Sequence, residues 1–147
     1  MISPTITTLA QPFSASGVYI RTSGAASFDL IAGGRNPNSA LMMDNTSNFA
    51  TLYAGTVTAF GATDNVLHSF QGIFNGSSSL MYRDTSTSGA LNPGTNNLSG
   101  SALGVGSWSS TSDSYTFCET GVWSGAFSSG DYTALGANQH GTNGYNF

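Results

Sequence analysis

The chain has 147 residues and a formal net charge of -4, with three basic residues (Arg21, Arg35, Arg83), no lysine and seven acids, so only 7% of it is charged, against about 25% in ordinary soluble domains. Three scattered arginines cannot neutralise a run of phosphates, which excludes nucleic acid as a partner, and 12% aromatic residues in regular alternation are more core material than disordered segments carry. The length suits a single domain over 1–147, and no apolar run nears the roughly 20 residues that span a bilayer, so no membrane insertion is expected.

The N-terminus (Met1, Ile2, Ser3, Pro4) has neither the basic region nor the apolar core of an export signal, and the expectation is a complete small protein held in an assembly. In chain order, period-two alternation predicts strands at Phe13 to Ile20, Phe28 to Ala32, Ala40 to Asp44, Phe49 to Tyr53, Val57 to Phe60, Val66 to Phe74, Ser79 to Asp84, Ala102 to Gly106 and Tyr115 to Val122. Gly33-Gly34, Pro37 and Asn75-Gly76 supply the turn chemistry between them. The stretch Val66 to Phe74 is apolar on both parities and is expected in the middle of a sheet. One helix is expected from about Ser129 to Asn138, capped by Ser128 or Ser129, with Asp131 in its first turn and Tyr132 and Leu135 three apart on one face. It should sit as a lid on the sandwich edge, and Tyr145 and Phe147 beyond it are candidate anchors into a neighbouring groove or subunit. The fold class expected is all-β, a jelly-roll sandwich of two antiparallel sheets with one short C-terminal helix.

The second half carries a resemblance. Phe74-Asn75-Gly76, Ser79-Leu80, Arg83-Asp84, Gly94-Thr95-Asn96-Asn97-Leu98-Ser99-Gly100, Leu103-Gly104-Val105-Gly106, Glu119 and Val122-Trp123-Ser124-Gly125-Ala126-Phe127-Ser128 follow one another in the order and spacing of the concanavalin A-like lectin/glucanase superfamily. They resemble its laminin-G-like branch, of phage or bacterial type. Leu135 to His140 fits the same pattern, and Gln11-Pro12-Phe13 and Leu52-Tyr53-Ala54-Gly55 match it more loosely. The resemblance implies two antiparallel sheets packed about 10 Å apart. It departs after Asp84, where Thr85 to Gly89 replaces the usual glycine turn and is expected to form a longer polar loop.

Glycoside hydrolysis needs two carboxylates about 5 to 10 Å apart. Glu119 is the single glutamate and has no other acid within five residues, so the chain is expected to be non-catalytic. The resemblance instead makes Glu119 a structural acceptor, with Arg83 a candidate partner. No Gly-x-Ser-x-Gly elbow is present. Cys118, between Phe117 and Glu119, is expected to be core. His68 on a strand reads as a hydrogen-bonded structural residue, and His140 lacks companions at metal spacing, so no metal site is assigned. Calcium stays open as a cofactor through Asp44-Asn45, Asp64-Asn65 and Asp113, although none forms a clustered ligand run.

What remains is binding. Sugar sites in sandwiches combine an aromatic platform with amide and carboxylate groups, and the candidates are Trp108, Tyr115 and Tyr132. Trp123, beside the last strand, is expected in the core with a structural role. Low charge, no lysine and abundant Ser, Thr and Gly suit a surface that packs on neighbours. The expectation is a structural or decorating protein on the virion surface of a bacteriophage, as capsid or fibre component, partnered by itself as a homo-oligomer or by other virion proteins, and able to attach to cell-surface glycans. The alternative is a free, extracellular carbohydrate-binding module.

Overall fold

The computed structural model describes residues 7–21, 29–34, 39–44, 49–62, 65–99, 103–107 and 115–140. Among them the strands are β1 (Phe13–Arg21), β2 (Asp29–Gly34), β3 (Leu41–Asp44), β4 (Phe49–Tyr53), β5 (Val57–Ala62), β6 (His68–Phe74), β7 (Leu80–Arg83), β8 (Ser86–Thr87), β9 (Leu103–Ser107) and β10 (Tyr115–Ser124), followed by helix α1 (Ser129–Gln139). One sheet runs β10-β1-β6-β7-β8 and the other β5-β4-β3-β2-β9. Every pairing is antiparallel. The architecture is therefore the expected jelly-roll sandwich with one short C-terminal helix, and the expected strands lie close to their predicted limits.

Two local differences stand out. Asp84 and Thr85 form a two-residue turn rather than the start of a long loop, because Ser86 and Thr87 pair back onto Arg83 and Tyr82. Asp84 makes this possible by taking φ 52, the left-handed region that Asp enters more readily than bulkier residues. Val66 stays outside β6 and is 54% exposed.

Alternation then decides what each face holds. In β1, Phe13, Ala15, Gly17 and Tyr19 face the second sheet, and their β6 partners Phe74, Gly72, Phe70 and His68 do the same. Phe13 stacks on Phe74 at 4.6 Å and Tyr19 lies 5.3 Å from Phe70. Met42, Ala50 and Leu52 close the core from the other side. The sheets approach closely at two glycines. A Cβ on Gly72 would stand 2.6 Å from Leu52 Cδ2, and one on Gly17 would collide with Ile31.

The loops that carry the resemblance meet at one side chain. Gln11 Nε2 donates to the carbonyls of Gly94 (3.3 Å) and Asn96 (2.9 Å), while its Oε1 accepts from Gly76 N at 2.7 Å. Ala54 N donates to Pro93 O and Asn96 N to Ala54 O, which ties the Leu52-Tyr53-Ala54-Gly55 segment to the same junction.

A buried ion pair joins the sheets. Arg21, at the end of β1, donates from Nη1 to Asp44 Oδ1 on β3 at 2.9 Å, with side-chain exposures of 3% and 4%. Asp44 is thus committed to Arg21. Asn45, Asp64 and Asp113, the other calcium candidates apart from Asn65, lie outside the described residues, and among the described residues no group of three or more His, Cys, Asp or Glu is placed to hold a metal ion. Asp44→Ala is expected to destabilise by about 3–5 kcal/mol, because it takes the 2.9 Å carboxylate partner from a buried guanidinium, whereas the double change Arg21→Met/Asp44→Leu recovers most of that loss. Urea unfolding followed by tryptophan fluorescence checks this, and equal losses in the two variants would count against it.

Candidate functional site

The outer face of the first sheet is built from the alternate parity. Ser14, Ser16 and Val18 of β1 register with Ile73, Gln71 and Ser69 of β6, and with Trp123, Gly121 and Glu119 of β10. The result is a polar band across an apolar surface, and α1 covers it.

Helix α1 begins at a capping box. Ser128 Oγ accepts from Asp131 N at 3.2 Å, and Asp131 Oδ2 accepts from Ser128 N at 2.8 Å. Ser128 N, and after it the Ser128 hydroxyl, which donates to the same Oδ2 at 2.8 Å, hold the Asp131 carboxyl below its ordinary value of 3.8. The helix has no apolar stripe. Its one buried residue is Gln139, 1% exposed. Gln139 Oε1 accepts from Ser69 Oγ at 2.6 Å, and its Nε2 donates to Ser16 Oγ at 3.1 Å and to Glu119 Oε1. One amide therefore pins the helix to β6, β1 and β10. Near the other end, Tyr132 stacks on Tyr82 of β7 with centroids 4.0 Å apart and planes at 18°. Burial there, reinforced by Tyr132, pushes the Tyr82 phenol above 10.0, with a hydrogen bond to Thr87 partly offsetting it. The helix accordingly lies across the face of the sheet, which corrects the expected lid on the sandwich edge.

Between α1 and the Asp84-Thr85 turn is a cleft of about 560 Å³. Ser69 lies at its base, Asp84 and Thr85 border it on the sheet side, and Tyr132, Thr133 and Gly136 border it on the helix side. Ala137 and His140 complete it. Asp84 is held firmly. Its Oδ1 accepts from Ser69 N at 3.0 Å, its Oδ2 lies 2.7 Å from His68 Nδ1, and its own N donates to Ser69 O at 2.9 Å. Arg83 Nη2 is 2.9 Å from His68 Nε2. A guanidinium can only donate, so Nε2 is the acceptor and the imidazole proton sits on Nδ1, aimed at Asp84. His68 is the hydrogen-bonded structural residue the sequence suggests.

The sequence-derived site residues separate. Tyr132 borders the cleft. Tyr115 opens β10, paired to Arg21 on the sheet's opposite edge from β7, so it is not brought to Tyr132. Trp108 lies outside the described residues, as do Tyr145 and Phe147. Arg83 does not serve Glu119: Arg83 registers with the inward Phe70, Glu119 with the outward Val18, and the sheet separates them. Trp123 is not core. It is 39% exposed and rests on Phe127 at 5.2 Å. Cys118 is half-buried at a register shift, and burial, then the neighbouring Glu119, raises its thiol pKa. Asp84, Thr85, Thr133 and Gln139 carried no sequence signal for binding, since each is a common residue in a polar stretch.

Two outcomes are expected. Gln139→Ala leaves Ser69, Ser16 and Glu119 without their common partner and is expected to cost about 1–3 kcal/mol, read by thermal unfolding together with faster amide exchange throughout α1. The depressed Asp131 carboxyl contributes helix stability that is complete above 3.8 and is lost as pH falls through its lower folded-state value. Protection factors at Asp131 and Tyr132, taken against the intrinsic exchange rate at each pH, should therefore fall on acidification, and Asp131→Asn should remove that dependence.

The fold has counterparts among solved structures. The chain is similar to Trypanosoma rangeli sialidase in complex with sialic acid, with TM-score 0.64 and 12% identity over 92% of this chain and 24% of that chain. It is similar to the same sialidase in complex with 2,3-difluorosialic acid as a covalent intermediate, with TM-score 0.64 and 13% identity over 91% of this chain and 24% of that one. It is also similar to a native heptameric SAP-like pentraxin from Limulus polyphemus, with TM-score 0.60 and 13% identity over 95% of this chain and 75% of that one. The chain thus spans about a quarter of the sialidase chains. At these identities the likeness shows a lectin-like β-sandwich. No protein-family model matches the chain, and no curated protein sequence matches it. One expectation is overturned: the chain was expected to be non-catalytic because Glu119 lacks a partner carboxylate, yet structures sharing its fold over most of its length are sialidases, which are enzymes.

Proposed function

We propose that the chain is a lectin-like recognition module that takes a saccharide into the α1 cleft. The observation that carries this reading is the cleft itself. Its volume of about 560 Å³ falls in the range of small-molecule sites, roughly 300–1,000 Å³. It sets a tyrosine ring fixed by stacking on Tyr82 beside a carboxylate, three hydroxyl side chains and an imidazole. Saccharides are bound by this combination of apolar ring contact and hydrogen bonds to hydroxyl groups.

The laminin-G-like branch of the concanavalin A-like sandwiches is the family assignment we favour, supported by the order of the motif segments and by their meeting at Gln11. The setting we propose is the surface of a bacteriophage particle, in a capsid or fibre, with copies of itself or other virion proteins as neighbours. A surface almost free of lysine and arginine and rich in Ser, Thr and Gly suits close packing of like subunits without charge repulsion.

A glycan array tests the module. Retained glycans should lose at least about tenfold in affinity when Ala137→Trp fills the cleft, with the thermal midpoint unchanged. If Ala137→Trp has no effect and Trp108→Ala abolishes retention, the site is at Trp108 and the cleft reading fails. Mass spectrometry of purified virions tests the setting, which fails if the chain is made in infected cells yet excluded from particles.

A further inference from the structure

We infer that the α1 cleft selects uncharged saccharides and rejects those bearing a carboxylate, with Asp84 setting that preference; this rests on the reading of the cleft as a saccharide site. Asp84 is the sole non-glycine residue at positive φ among the described residues, and such conformations persist only where the surroundings hold them. Here Ser69 N, His68 Nδ1 and the Asp84-to-Ser69 backbone bond do so. Its side chain remains 26% exposed at the cleft. A carboxylate offers about four acceptor sites, and the protein hydrogen bonds described occupy one on each oxygen. The remaining ones are preoriented for ligand hydroxyls.

Among the described residues the charge balance is unfavourable to an anion. A sugar carboxylate entering this cleft would give up water beside the carboxylate of Asp84 and would need a cation in return. The chain has no lysine. Arg21 is spent on Asp44 inside the sandwich. Arg83 lies behind the site, against His68 and packed over Gly61 of β5, and does not border the cleft. Arg35 lies outside the described residues. Arg83, with Nε 3.7 Å from Asp84 Oδ2, partly offsets the Asp84 charge from behind, which leaves the exposed side of that carboxylate unfavourable to a second carboxylate without demanding a cationic sugar. His140 also borders the cleft, and the test is run in alkaline buffer.

The experiment is a glycan array, followed by titration calorimetry at pH 8, where imidazoles are ordinarily neutral. The probes are neutral galactose-terminated oligosaccharides, their sialylated counterparts and the methyl esters of those sialosides. Neutral probes should be retained, sialylation should weaken binding by at least about tenfold, and the methyl ester, equal in bulk but uncharged, should restore it. Thr133→Lys places a cation at the exposed edge of the cleft and should bring the sialylated probe to within about threefold of the neutral one. Asp84→Asn should narrow the same gap, and because that change can also loosen the turn, Thr133→Lys keeps the inference falsifiable. Sialylated probes bound as tightly as neutral ones would overturn the preference while leaving the saccharide site standing. Retention of no glycan class would overturn the site itself, and the preference with it.

Discussion

The sandwich depends on a charge pair placed where apolar side chains would ordinarily sit. Arg21 and Asp44 meet between the two sheets with almost no exposure, and either charge left alone there would carry a large desolvation penalty. The pair therefore fixes the relative position of β1 and β3 in a way that interchangeable apolar contacts do not. In a chain so poor in charge, one of three basic residues is placed inside for this purpose. Another, Arg83, holds the imidazole that in turn orients Asp84. Positive charge in the described part of the molecule is thus used to position groups within it, while hydroxyls and amides face solvent.

The same economy governs α1. Most helices attach through an apolar stripe, whereas this one is fixed by the Gln139 amide and the Tyr132–Tyr82 stack. Directional contacts of this kind set the helix at one height and one rotation above the sheet. The cleft lies between this helix and the Asp84-Thr85 turn, with the Gln139 amide drawn onto Ser16 and Ser69 beside it. Function and attachment consequently share residues: Ser69 both receives the helix pin and forms the base of the cleft.

Much of this was legible in the sequence. Phe13 to Ile20 alternates, Val66 to Phe74 is apolar on both parities as a central strand should be, and turn residues bracket nearly every strand, so period and punctuation gave the sheets. Helix α1 was legible from its cap, because Ser128 and Asp131 announce an N-terminus whatever lies beneath. What lies beneath was not legible. The outward face of β6 carries Ser69 and Gln71 between its apolar residues, and nothing in their polar side chains announces the helix under which both are buried. Asp84 was obscured for a different reason: the residues after it read as a loop, and a single left-handed residue turned them into a hairpin. The separation of Arg83 from Glu119 and the exposure of Trp123 were hidden by a third cause, since both follow from the register of β10 against β1, and that register changes partway along.

That change has its own consequence. Between Val18 and Tyr19 the pairing of β1 with β10 shifts, so that Tyr19 faces Phe117 while Val18 faces Glu119, and Cys118 is the residue left over. Phe117 packs against the core and Glu119 meets Gln139 on the opposite face, although the two are separated by the spacing that normally puts side chains on the same side. Position 118 therefore matters as a place in the count more than as a thiol. Substitution there leaves both neighbours where they are, whereas loss of that one residue would turn either the phenyl ring out to water or the carboxylate into the apolar interior.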